Sequence, residues 1–344
     1  MRSSRAWPFI GAVAVIAVVW LAPVLVAGQA TTATKAPATA KASATAAKPT
    51  TAAKPYSAKT PWGDPDLQGM WTTWDETPLQ TPNPDPGAAA ADRKRRAEFD
   101  GVDGKGTNEG LGGGMSRLHF SPVSARRQSL VVDPPNGRVP VKPEKVEFVP
   151  LRAMLDTWET HGAWSRCITR GVPGRLLQGG TGGYNKGYQI LQIPGYVVIF
   201  PEEIHDARII PLDGRPHVGK DIRLWNGDSR GRWDGQTLVV ETTNFNHKGE
   251  GVGDVPTSEG LRVVERFTRV DATTINYEVT FEDPNVYTRS WTAMQPHNLD
   301  PKYIIYEYAC HEGNTRYMED SLTQGRIRDA EEAEAAAKKK TSNR

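Results

Sequence analysis

The chain has 344 residues, with 42 Lys and Arg against 40 Asp and Glu, a formal charge of +2. Two arginines and five lysines before residue 60, in a stretch without any acid, more than account for that surplus, so the remaining body is net negative. Such a body lacks the basic footprint of a nucleic-acid binder.

Arg2 and Arg5 precede an apolar run from Ile10 to Val26, which ends in the small residues Gly28-Gln29-Ala30. That order predicts a signal peptide over residues 1–30. Trp7 to Ala27 carries no charge and is also long enough for an uncleaved anchor, which would be the only route to a membrane. Either way the rest of the chain is exported, and no cysteine follows the run to make a lipobox. Residues 31–59 are Thr, Ala, Lys and Pro almost throughout, which predicts a disordered spacer because few side chains there could offset the entropy of folding. Residues 60–328 then read as a single β-rich domain, and 329–344 as a charged tail.

Within the body, Ala88 to Phe99 predicts a short helix, Gly101 to Gly114 a glycine-rich loop, and residues 130–141 a hairpin. Cys167 and Cys310 are the only cysteines. An even count in an oxidising compartment predicts a disulfide between them. From residue 186 onward, β-branched and aromatic runs broken by Gly and Pro predict strands at 188–193, 195–200, 207–212, 261–270, 275–281, 286–294 and 303–310. R-G-R-W, Asp234-Gly235 and Q-T-L-V-V-E-T-T predict a hairpin. Ile275, Tyr277, Val279 and Phe281 fall on one face of their strand and polar residues on the other, so one face is expected to be buried. Tyr317 to Lys340 reads as a helix fraying into the tail. The fold class is mainly β: an antiparallel meander forming a large curved sheet or an up-and-down, lipocalin-like barrel, with a few peripheral helices.

G-D-S-R-G at residues 227–231 matches the G-x-S-x-G pattern of serine hydrolases. A nucleophile elbow needs a helix after the serine, and here another strand follows, so Asp228-Ser229 is expected to be a turn bonding local backbone. The densest polar cluster is E-E-I-H-D-A-R-I-I-P-L-D-G-R-P-H, residues 202–217. On a strand, Glu203 and His205 would share a face, with His217 returning to it after a turn. The trio suits acid/base catalysis or a divalent metal, although the spacing matches no short metal motif. His311, beside Cys310, is a further catalytic candidate. Most arginines are expected to pair across strands with Glu241, Glu265 or Glu278. Arg208, facing into a barrel, would offer a fork to an anionic ligand, and Trp225 and Tyr277 are aromatic candidates for walling its pocket.

The ordered set R-C-I-T-R-G-V-P-G (166–174), I-H-D-A-R-I-I-P-L-D-G-R-P-H (204–217), W-N-G-D-S-R-G-R-W-D-G-Q-T-L-V-V-E-T-T-N-F (225–245), E-R-F-T-R-V (265–270), E-D-P (282–284) and Y-E-Y-A-C-H-E-G-N (306–314) resembles a family of exported bacterial proteins of unassigned function. D-L-Q-G-M-W (66–71) is similar to the start of that family's mature body. The resemblance implies an exported, largely β domain and carries over no reaction. Two functional classes follow from the residues. The first is a periplasmic or secreted enzyme using acid/base or metal-assisted chemistry on a small organic or sugar-like molecule, anionic ones included. The alternative is a non-catalytic ligand-binding or carrier protein.

Overall fold

The computed structural model describes residues 56–75, 77–81, 127–145, 161–177, 185–246, 248 and 255–342. The leader, most of the spacer, the 88–99 helix and the 101–114 loop lie outside them. No helix among the described residues is long and apolar enough to cross a membrane.

Ten strands form one sheet: β1 (Gly69–Thr72), β2 (Val131–Asp133), β3 (Gly187–Ile193), β4 (Tyr196–Pro201), β5 (Arg208–Pro211), β6 (Asp228–Asp234), β7 (Thr237–Thr243), β8 (Arg262–Arg269), β9 (Thr274–Glu282) and β10 (Trp291–Leu299). Nine of them follow the path β5-β4-β3-β1-β10-β9-β8-β7-β6 with every neighbour antiparallel, and β2 pairs β10 off that path. The sheet curls until β5 and β6 come together, giving a nearly closed barrel. A single α-helix, α1 (Asn314–Ser342), ends the described chain.

Strand formation follows the alternation of the sequence. In β9, Ile275, Tyr277, Val279 and Phe281 are fully buried while their neighbours are half-buried. Burying each such side chain stabilises the fold by about 2 kcal/mol. Phe281 stacks on Trp291 with ring centroids 4.1 Å apart, and Phe267 packs on Tyr277 at 4.9 Å. The β6–β7 hairpin closes through Gly235 and Gln236, with Gly235 at the positive φ (60°) that a tight hairpin turn demands.

Three expectations are corrected. Residues 130–141 do not pair with each other: β2 lies on β10, and Val141 bridges Tyr287. The last long strand starts at Trp291, because residues 286–290 are spent on a turn that Asp283 organises through its backbone carbonyl. Residues 303–310 form no strand and are instead held by side chains, as described below. The expected C-terminal helix is present and runs from Asn314 to Ser342, covering the predicted Tyr317–Lys340.

Candidate functional site

The barrel interior carries a belt of polar side chains at one level: Tyr188 on β3, Arg208 on β5, Ser229 on β6, Thr242 on β7, Glu265 on β8, Tyr277 on β9 and His297 on β10. The register explains the level. Ser229 lies directly opposite Thr242; beyond it, Thr242 lies opposite Val263, Glu265 opposite Val279 and Tyr277 opposite Gln295, so Glu265, Tyr277 and His297 each sit two residues along from the direct partner of the belt member before. That offset is the stagger of tilted barrel strands, and it turns diagonal neighbours into a ring.

Arg208 spans the most strands. Its Nη1 donates to Glu265 Oε1 at 3.0 Å and its Nη2 to Glu265 Oε2 at 2.5 Å, a two-pronged buried ion pair. Nη2 also reaches Ser229 Oγ at 3.2 Å and Thr242 Oγ1 at 3.4 Å, and those two hydroxyls are 2.9 Å apart. Tyr277 donates its hydroxyl to Glu265 Oε1 at 2.9 Å. Its ring stacks on His297 with centroids 4.8 Å apart. His297 Nε2 faces the Leu176 carbonyl at 2.8 Å and must donate to it, which leaves Nδ1 to accept the Tyr188 hydroxyl at 2.5 Å. One donor is left over: Arg208 Nε is buried and has no hydrogen-bond partner among the described residues.

The electrostatics follow from burial. Burial works against the charge on Arg208, but the adjacent Glu265 carboxylate more than offsets it, and the guanidinium pKa is raised. Burial and then Glu265 push both phenols, Tyr188 and Tyr277, well above 10. Burial pulls His297 down to about 3, with the Leu176 carbonyl opposing only in part. At neutral pH the belt therefore holds a cancelled ion pair, two intact phenols and a neutral imidazole.

The other predicted residues are dispersed. After Pro201 the chain leaves the sheet, and Ile204 and His205 adopt left-handed backbone at φ 65° and 57°. Glu203 and His205 therefore do not share a strand face. Glu203 is buried, accepts from Tyr308 at 3.3 Å and lies 3.5 Å from Arg170 Nε, while Trp164 Nε1 donates to Tyr308. His205 donates from Nε2 to the Tyr306 carbonyl at 3.0 Å. Glu202 accepts from the Tyr303 hydroxyl and the Tyr306 amide, and the Tyr303 ring lies where a Cβ on Gly187 would stand. These contacts fasten residues 303–308 to the start of β3 and to the segment after β4, and the Cys167–Cys310 disulfide and the bond from Asn314 to the Ser165 carbonyl fasten residues 310–314 to residues 165–167. Glu203 and His205 thus act as a fastening.

His217 sits elsewhere, with Nδ1 2.9 Å from Asp228 on β6 and Nε2 3.3 Å from Glu241 on β7. Arg262 bridges Glu241 to Glu282, and Arg230 bonds Asp228, so this is an outer-face ion network. His311 is exposed on the turn before α1. Trp225 is half-buried beneath Arg166, 5.9 Å away. Among the described residues no three His, Cys, Asp or Glu side chains group as a metal site.

Ser229 lies within β6 rather than in a turn, and its hydroxyl meets Thr242 and Arg208 but no imidazole. Asp228 bonds Val218 and His217, about ten residues away, rather than local backbone. Arg208 does face the barrel interior, but Glu265 occupies the fork that an anion would use. Tyr277 is buried on the inner face of β9 and donates to Glu265. Sequence reasoning missed Tyr188, Thr242 and His297. Val263 and Phe267, of the same parity as Glu265, mark that carboxylate as inward-facing, whereas Pro296 beside His297 hides the strand. The chain matches no family model, no curated protein and no solved structure.

Proposed function

We propose that the protein is an exported, non-catalytic small-molecule-binding barrel, periplasmic or secreted, whose ligand is an uncharged organic molecule. The observation that carries this reading is the interior belt, in which the one buried ion pair is already balanced and a buried donor, Arg208 Nε, is left to pair. A ligand acceptor there would satisfy a group whose isolation costs on the order of 1–3 kcal/mol. An anion would instead leave a net buried charge, which is expensive. Acid/base turnover at neutral pH needs a group that titrates near 7. The belt groups whose ionisation the surroundings move, Arg208, Tyr188, Tyr277 and His297, are all driven away from that range. The resemblance to exported β proteins and the disulfide both support a location outside the cytoplasm.

Incubation with a small-molecule extract, gel filtration, denaturation and chemical identification of what was retained tests the reading. One compound held in about equal amount to the protein and recovered unaltered is expected. A compound consumed and replaced by a product would point to the enzyme, and an empty protein would overturn the binding reading.

A further inference from the structure

Nine strands paired antiparallel throughout cannot close antiparallel, because an odd number brings the first and last strands together running the same way. The contacts agree: Arg208 on β5 meets Ser229 on β6, while Ile210 and Leu212 farther along meet Gly231. The chain makes this parallel approach through a crossover at residues 212–227, as parallel neighbours require. No backbone ladder joins the two strands, and each ends the hydrogen-bonded path.

Side chains close the gap instead. A Cβ on Gly231 would lie 2.8 Å from Ile210 Cγ2 and 2.6 Å from Leu212 Cδ2, so β5 side chains pack directly on the β6 backbone. Arg208 reaches across the gap to β6, β7 and β8 through Ser229, Thr242 and Glu265. Outside, the crossover begins on the near side of the gap, with the Leu212 amide on the Gly195 carbonyl and Arg215 on the Tyr196 hydroxyl, and from Pro216 onward it is fastened to the far side: His217 and the Val218 amide to Asp228, His217 to Glu241, and the Pro216 carbonyl to Arg230. The break between β5 and β6 is therefore spanned by the Arg208 guanidinium, by Asn226 donating to Asp206 just ahead of the two strands, and by a few apolar contacts, whereas β7, β8 and β9 are joined by full ladders.

We propose that the β5–β6 seam is the moving edge of the barrel and the way into its interior, with Arg208 as the latch. As a ligand route it rests on the binding function proposed above. When Arg208 releases Glu265 and Asp206 releases Asn226, β5 swings with β4 and residues 212–215, while the crossover from Pro216 onward stays with β6 and β7. Ser229 and Thr242 are then the first belt groups exposed.

Hydrogen-exchange mass spectrometry on the full chain tests the opening without any ligand. The amides of β5 and β6 that are bonded to β4 and β7 are expected to exchange at least about tenfold faster than the ladder amides of β8 and β9. A cross-link from Ile210→Cys to Gly231→Cys, chosen because a Cβ on Gly231 would lie 2.8 Å from Ile210 Cγ2, should abolish the difference. Equal protection in wild type, or fast exchange that survives the cross-link, would overturn the proposal. Single variants Thr242→Cys and Ala293→Cys, probed with iodoacetamide as a small uncharged entrant, test the route: Thr242→Cys should react at least about tenfold faster. Equal rates would refute entry at the seam. A seam that opens in a protein retaining no small molecule would refute the ligand reading alone, and a closed seam in a protein that binds one would refute this inference alone.

Discussion

Glu265 is the residue on which the belt turns, since it accepts from Arg208 twice and from Tyr277. Removing one half of a buried ion pair leaves the other charge uncompensated, so Glu265→Gln is expected to cost about 3–5 kcal/mol in urea unfolding. Arg208→Met combined with Glu265→Gln should cost less than that single change, because no charge is left and Gln still accepts from Tyr277. A double variant less stable than the single would contradict the pairing. His297 sets a pH dependence. In the unfolded chain it takes up a proton near pH 6.5, and in the fold only near pH 3, so between those values the unfolded state binds more protons. Stability is therefore full above about pH 6.5 and falls as pH is lowered toward 3, by roughly a few kcal/mol. His297→Gln should flatten that part of the profile, and an unchanged slope would show that other groups carry it.

At the level of elements, strands were legible wherever one face is buried and the other wet, as in β8 and β9, because alternation records that asymmetry directly. It fails where side-chain fastenings replace a ladder. Y-I-I-Y-E-Y-A-C has strand composition, yet Ile304 and Tyr306 are exposed, and the segment is held through Glu202, Glu203, His205 and Cys310. The acid and imidazole that looked catalytic at 203–205 are consumed by that task, a long-range partnership that local spacing does not record. Cys167→Ser with Cys310→Ser should lower stability by about 2–5 kcal/mol in thermal unfolding. It should also raise hydrogen exchange in 303–313 more than in β8 or β9, and uniform loosening across the sheet would contradict a local fastening.

For the molecule as a whole, the odd strand count governs both closure and access. The β meander was readable from turns and periodicity, but the insertion of β1 between β3 and β10 was not, because four residues far from their partners carry no pairing signal of their own. That insertion brings the path to nine strands, sets β5 beside β6 in parallel, and aligns the belt across seven strands. In the function proposed above, this belt holds an uncharged organic molecule. The most direct measurement is native against denatured mass of the full chain exported to a periplasm, for wild type and for Arg208→Met with Glu265→Gln. An organic adduct on the wild type, released on denaturation and lost from the double variant, is the predicted result; a bare wild type, or an adduct retained by both, would contradict the claim.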